Sequence, residues 1–179
     1  MLFLPGWLFS AITFPGVIVH EIAHRLFCHL TGVPVYEVSY FRFRGNPAGY
    51  VVHGPPPTLR SALLISAGPL IVNSLLCMLL TFAAVIPLII LDDSDVSAVS
   101  IFLFWIGISI GMHAFPSNHD AEAFVLHAEE RRGASSIVAT LAQLFAWLLK
   151  AVNALRIVWI DLFYAVALSM LLPFAFGLG

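Results

Sequence analysis

Residues 14–27 read F-P-G-V-I-V-H-E-I-A-H-R-L-F, an apolar stretch that carries His20, Glu21 and His24 as an H-E-x-x-H motif. Residues four apart lie on the same face of an α-helix, so both histidines can bind one metal ion. Glu21 directly follows the first histidine and can hold a water molecule at that metal. An ionisable side chain at the centre of a membrane helix costs about 2.5–3.5 kcal/mol, which a bound cation helps to offset. The motif therefore predicts a metal centre inside an apolar helix.

The composition is typical of a membrane protein. Of the 179 residues, 60% are hydrophobic and 10% are charged, and the mean hydropathy is +0.97. Soluble proteins contain about 25% charged residues, so we expect an integral membrane protein that lies in the lipid bilayer. No basic tract for nucleic acid is present. Cys28 and Cys77 both fall in apolar segments, so no disulfide is expected, and the N-terminus lacks the basic region of a removable signal peptide.

The hydropathy pattern predicts an all-α membrane protein with about four transmembrane helices and a short membrane-associated β-hairpin after the first. A single domain is expected over residues 1–179, with a core over 7–125 and a C-terminal part over 135–178. The predicted spans cover about 7–30, 59–91, 96–113 and 156–177, with a polar helix over 118–131 and an interfacial helix over 135–152.

Prolines indicate where two of these spans should be irregular. Pro15 and Gly16 predict a kink in the first span, because proline cannot donate a helical hydrogen bond. The second span is longer than the roughly 20 residues that a bilayer needs, so it should tilt or break. Gly68-Pro69 and Pro87 are the candidate break points.

A two-residue period replaces the helical pattern after the first span. The stretch V-Y-E-V-S-Y-F-R-F-R, the turn G-N-P-A-G and the return Y-V-V-H predict strands over about 35–43 and 49–53. An open sheet edge cannot face lipid, so the hairpin must lie at the membrane surface or against the helices near the metal. Its unpaired edge could bind a substrate in extended form, or the hairpin could simply cap the cavity.

The distribution of charge predicts the orientation in the membrane. All basic residues can lie on one side, whereas the opposite loop carries Asp92, Asp93 and Asp95 and no Lys or Arg. The positive-inside rule then puts the hairpin and residues 114–135 in the cytoplasm and both termini outside. We therefore expect a multi-pass protein of the cell membrane with its metal site toward the cytoplasmic side.

Two histidines do not complete a catalytic zinc site, which usually has three protein ligands and a water. The segment H-A-F-P-S-N-H-D-A-E at the end of the third span returns to the same side as the motif. Its candidate ligands are Asp120, His119, His113 and Glu122. Asp120 could instead serve only as the N-cap of the following helix.

The ordered set of motifs resembles the site-2 protease family of intramembrane zinc metalloproteases. The resemblance rests on H-E-I-A-H, the hairpin, S-A-G-P-L-I-V-N in the second span and F-P-S-N-H-D after the third, over residues 7–125. It implies a core of three spans and assigns the third zinc ligand to Asp120. Ala121 stands where the family usually has glycine, and the spacing from proline to aspartate differs. The chain carries no PDZ or CBS domain and would be a minimal member.

These features together predict a zinc metalloendopeptidase that cleaves transmembrane or membrane-anchored proteins. Zn²⁺ is bound by His20, His24 and Asp120, and Glu21 acts as general base. Asn73 lies near the active site in the family, where its amide could contact a substrate carbonyl or an oxyanion, or could join helices instead. The alternatives are a non-catalytic zinc-stabilised membrane scaffold or adaptor, and a metal-ion transporter.

Overall fold

The computed structural model describes residues 5–90, 97–130, 136–155 and 159–177. These residues are mostly helical and include one two-stranded antiparallel sheet, as expected. The helices are α1 (Gly6–Ile12), α2 (Phe14–Leu30), α3 (Leu59–Ile90), α4 (Ala98–Met112), α5 (Asn118–Glu130), α6 (Ser136–Leu155) and α7 (Ile160–Ala175); the strands are β1 (Val35–Ser39) and β2 (Tyr50–His53). Helix α3 packs against α2, α4 and α7, and α5 and α6 pack together near its N-terminal end.

The predicted kink in the first apolar segment is confirmed. Helices α1 and α2 meet at Thr13 with a bend of 86°. The Thr13 hydroxyl donates to the carbonyl of Phe9 at 2.8 Å, and Pro15 lies in the first turn of α2. A proline in that turn removes no helical hydrogen bond, so the helix restarts there at little cost.

Helix α3 runs without interruption through both of its prolines, so neither Gly68-Pro69 nor Pro87 breaks it, and the tilt that the sequence also allows stays a prediction. Each proline removes only one backbone hydrogen bond, and α2, α4 and α7 pack around the helix. Its apolar part, Leu59–Pro87, has 29 residues and is about 44 Å long, well above the roughly 30 Å of a bilayer core.

The other helices are shorter than the predicted spans. Among the described residues, α3 alone is long and apolar enough to cross a membrane by itself, and α1 with α2 meets the same criterion only as one bent unit. Helices α4 and α7 have 15 and 16 residues, or about 22–24 Å. One helix therefore qualifies as a membrane span by length and composition, and the count of four stays a prediction.

The hairpin forms after α2, but its first strand is shorter than predicted. Strand β1 ends at Ser39 instead of residue 43, and Ser39 pairs with Tyr50. The chain then curls because Arg42 donates its backbone N–H to the carbonyl of Ala48 at 2.6 Å and its guanidinium to the carbonyl of Pro47 at 2.7 Å. The loop 40–49 thereby folds back along α2.

The C-terminal half contains the two further helices that the sequence predicts. Helix α5 ends within one residue of expectation, and α6 extends to Leu155 instead of residue 152. They meet through the rings of Phe124 and Phe145, whose centroids are 5.7 Å apart. Cys28 and Cys77 are free, buried thiols, so the prediction of no disulfide is confirmed. The predicted acidic loop at 92–95 and the basic residues Arg131, Arg132 and Arg156 lie outside the described residues.

Helices α2 and α4 are in close contact at Gly16. Its backbone N–H donates to the hydroxyl of Ser109 at 3.0 Å, and that hydroxyl donates to the carbonyl of Thr13 at 2.9 Å. A Cβ added at Gly16 would lie 2.1 Å from the carbonyl oxygen of Ser109. This contact sets the distance between the helix that carries H-E-x-x-H and the helix that leads to Asp120.

We therefore expect Gly16→Ala to destabilise the fold by about 1–3 kcal/mol, because the added methyl forces α2 away from α4. Thermal unfolding in detergent, followed by circular dichroism, measures the change. Gly6→Ala is the matched control, since a Cβ at Gly6 meets no atom within 4 Å. Equal unfolding temperatures for the two variants would contradict a tight contact at Gly16.

Candidate metal centre

His20, His24 and Asp120 meet at one point, although the third residue lies about a hundred positions further along the chain. The two histidine Nε2 atoms are 3.1 Å apart. Oδ2 of Asp120 lies 3.5 Å from Nε2 of His24 and 4.0 Å from Nε2 of His20. One possible ligand atom from each residue thus lies within 4.8 Å of the other two. The fold brings together the three residues that the sequence predicts as metal ligands.

The hydrogen bonds of the two Nδ1 atoms determine which ring atoms face this point. Nδ1 of His20 donates to the backbone carbonyl of His113 at 2.6 Å, and Nδ1 of His24 donates to that of Ile65 at 2.9 Å. A carbonyl can only accept, so both Nδ1 atoms carry a proton. In a neutral imidazole the other nitrogen then holds a lone pair.

A cation between the two Nε2 atoms would stabilise this arrangement. When both rings are neutral, their lone pairs repel each other at 3.1 Å, and the carboxylate of Asp120 adds negative charge to the same space. A single proton can be shared by only part of this group, whereas a metal ion accepts a lone pair from each of the three. Two imidazoles and one carboxylate are a common set of protein ligands for catalytic zinc, with a further position left for water.

Asp120 is fixed by its own helix start. The carboxylate accepts from the backbone N–H of Ser117 at 2.8 Å and from its hydroxyl at 2.7 Å, while the N–H of Asp120 donates back to that hydroxyl at 3.2 Å. This reciprocal pattern is a capping box with Ser117 as the N-cap, so Asp120 itself is not the N-cap. Burial alone would raise the pKa of the Asp120 carboxyl, but the facing histidines and the Ser117 hydrogen bond hold that pKa below its usual range.

The other candidate third ligands point elsewhere. Nε2 of His113 lies 2.8 Å from the Thr13 hydroxyl, and because that hydroxyl already donates to Phe9, His113 must be the donor. Glu122 is exposed and lies 3.9 Å from the ammonium of Lys150. His119 is also exposed. Only Asp120 among the four candidates contacts both histidines.

Glu21 is buried beside the metal site. It is 8% exposed and lines a cavity of about 190 Å³ together with His20, His113 and Ser117. The backbone of Gly49 closes over it, since a Cβ added at Gly49 would lie 2.7 Å from Cγ of Glu21. The hairpin therefore lies against the helices at the site, which is the second of the two positions that the sequence allows.

A second cavity of about 400 Å³ lies on the other side of Asp120. Residues 51–53 of strand β2 line it, together with Ser66 of α3 and Phe124 of α5. The first cavity begins at residues 47–49, just before the same strand. The two cavities thus lie along the same strand, and His20 lines the first while Asp120 lines the second.

Asn73 is completely buried, with no exposed surface. Its amide group donates to the carbonyls of Ile110 and His113, both at 3.1 Å. These bonds tie α3 to the end of α4 and occupy the donors that an oxyanion would need. A direct contact between Asn73 and a substrate stays a prediction.

Sequence reasoning missed the residues that hold the ligands in place. Ser117 could have been found, because S-x-x-D directly before a polar helix is a capping-box signal. The carbonyls of Ile65 and His113 could not, because backbone acceptors leave no trace in side-chain identity. Comparisons with known proteins give no protein-family model, curated protein or solved structure that matches this chain.

The geometry predicts one metal-binding site per chain, and Zn²⁺ is the ion to test it with. His20→Ala and Asp120→Ala should each lose it, and Ser117→Ala should weaken it by about 10–100-fold, because a ligand without its outer partner is poorly oriented. Elemental analysis after dialysis against a weak chelator, followed by competition titration, measures both effects. His29→Ala and His119→Ala are controls, since both side chains are exposed. Full zinc content in Asp120→Ala would move the third ligand elsewhere.

Proposed function

We propose that this chain is an intramembrane zinc metalloendopeptidase of the site-2 protease type. The observation that carries the proposal is the meeting of His20, His24 and Asp120 with both Nε2 atoms turned inward, beside the buried carboxyl of Glu21. A structural zinc site is usually closed by four protein ligands, whereas three ligands leave room for water and substrate. The adjoining cavities provide that room.

Zinc is the metal that this ligand set favours, and when bound it supplies Lewis-acid activation of a water molecule and of the scissile carbonyl. His20 and His24 would hold it through Nε2, and Asp120 would hold it through its carboxylate. The carbonyl partners at each Nδ1 keep the rings in the required tautomer and orientation. The backbone N–H and the hydroxyl of Ser117 orient the carboxylate of Asp120.

Glu21 is the general base. It follows His20 directly on α2 and lines the cavity at the site, so a water molecule there lies within its reach. Its carboxylate takes the proton from the attacking water and then gives that proton to the leaving amine. Burial keeps competing solvent away from this carboxylate, and the backbone at Gly49 fixes its position.

The substrate is a membrane-embedded or membrane-adjacent protein segment. A helical peptide hides its carbonyl groups in backbone hydrogen bonds, so it must unwind before hydrolysis. Strand β2 offers an edge for the unwound segment, because it pairs with β1 on one side only and runs between the two cavities. Addition of the peptide to this edge would carry the scissile bond past the ligands.

The proposed placement is a multi-pass protein of the cell membrane. Helix α3 spans the bilayer, and α2, α4 and α7 pack along it as the remaining, shorter spans. The ligand His24 is held by Ile65, six residues or about 9 Å from the start of α3. The site therefore lies toward one membrane surface, which the positive-inside rule makes the cytoplasmic one. Helix α6 lies at that surface, with Leu144, Trp147 and Leu148 exposed for contact with lipid.

Glu21→Gln should retain zinc yet lower cleavage by at least about 10²–10⁴-fold, because the amide cannot accept the proton of water. The assay uses purified protein with a library of single-span membrane peptides in vesicles, and mass spectrometry identifies the products. Glu122→Gln is the matched control, since that carboxylate is exposed and paired with Lys150. Undiminished cleavage by Glu21→Gln would contradict the assignment of Glu21 as the general base of a zinc protease. Wild-type protein that holds zinc but cleaves no peptide would favour the scaffold instead.

A further inference from the structure

Helix α3 contributes no metal ligand, yet its segment 65–73 contacts both histidines or their partners. Nδ1 of His24 donates to the carbonyl of Ile65. The amide of Asn73 donates to the carbonyl of His113, which also accepts from Nδ1 of His20. Both histidines therefore depend on backbone carbonyl groups that α3 either provides or holds.

The carbonyl of Ile65 is available because of a proline. In a regular α-helix this carbonyl would accept the N–H of the residue four positions later, which is Pro69. Proline has no N–H, so it leaves the carbonyl of Ile65 without its helical partner. Pro69 is fully buried, and an unsatisfied carbonyl in such surroundings needs another donor. Nδ1–H of His24, at 2.9 Å, is that donor.

Two neighbouring residues complete this arrangement. A Cβ added at Gly68 would lie 2.2 Å from the ring of Phe27, so glycine lets α2 come close enough for His24 to reach Ile65. Asn73 lies one turn after Pro69 and binds the carbonyls of Ile110 and His113 at the end of α4. Carbonyl groups at a helix end lack helical partners, and Asn73 fixes one of them where His20 can use it.

We infer that Gly68, Pro69 and Asn73 form a positioning element that fixes the tautomer and orientation of both histidine ligands through the carbonyls of Ile65 and His113. The inference rests on the proposed zinc site, but it concerns which ring nitrogen of each histidine carries the proton, as well as the metal affinity. Pro69 has no N–H to donate to the carbonyl of Ile65, so that carbonyl is free to accept from His24. Asn73 acts on His20 through α4.

Pro69→Ala is the decisive variant, because it separates this role from a merely structural one. Alanine supplies an N–H that competes for the carbonyl of Ile65, and it also suits a helix better than proline. The variant should therefore unfold at the same or a higher temperature while its zinc affinity falls by about 10–100-fold. If Pro69 served only the fold, its replacement would not lower zinc affinity while keeping or raising the unfolding temperature.

Pro87→Ala is the matched control on the same helix. Its missing N–H frees the carbonyl of Ala83, which lies far along α3 from the histidines. This variant should change stability in the same direction as Pro69→Ala and leave zinc affinity unchanged. Asn73→Ala tests the link from α3 through the carbonyl of His113 to His20, and it should lower zinc affinity. Asn73→Ser keeps one donor and should restore part of that affinity.

Nitrogen-15 NMR of the histidine rings in metal-free protein gives a readout that does not depend on zinc. Wild-type His24 should show the proton on Nδ1, and Pro69→Ala should shift it toward Nε2, with Pro87→Ala unchanged. Equal zinc affinities and equal His24 tautomers in the two proline variants would overturn the inference. Failure of the wild type to bind zinc would overturn the proposed function alone, because the tautomer comparison would still decide the role of Pro69.

Discussion

Two imidazole rings that turn their Nε2 atoms toward each other, 3.1 Å apart, are the constraint on which the rest of the structure depends. Each ring is held there by a carbonyl that accepts its Nδ1–H. The nearby Asp120 carboxylate completes a group of three possible metal ligands. Such a group is stable in an apolar protein only with positive charge at its centre.

Two helix ends of this scaffold lie at the candidate metal centre. α4 ends just before His113, whose carbonyl accepts from His20, and α5 begins after its N-cap Ser117, which forms a capping box with Asp120. Both ends leave backbone groups without helical partners, and side chains at the site satisfy some of them. Irregular backbone at membrane depth is tolerated only where protein surrounds it or where it lines a polar cavity. The restart of α2 at Thr13 is a separate irregularity.

Much of this site could be predicted from the sequence because side-chain chemistry and helical spacing carry the information. His20 and His24 share a helix face at any tertiary arrangement, and the polar segment after α4 had to return to the same side of the molecule. The early end of β1 and the continuity of α3 could not be predicted. Both depend on contacts that form only in the fold, such as the hydrogen bond from Arg42 to Ala48 and the packing around α3. The sequence indicates a role for Asn73 near the site, but which role it has depends on the carbonyl groups that lie within reach of its amide.

X-ray absorption spectroscopy of the zinc-loaded protein tests the central claim most directly, because it reports the ligands without requiring a substrate. The account predicts a low-atomic-number shell only, with two imidazole nitrogens at about 2.0–2.1 Å and oxygen ligands at about 2.0–2.2 Å. His20→Ala should show no zinc signal after dialysis, because it loses the ion. A sulfur shell near 2.3 Å, which would implicate Cys28, or a spectrum without imidazole scattering would contradict the account.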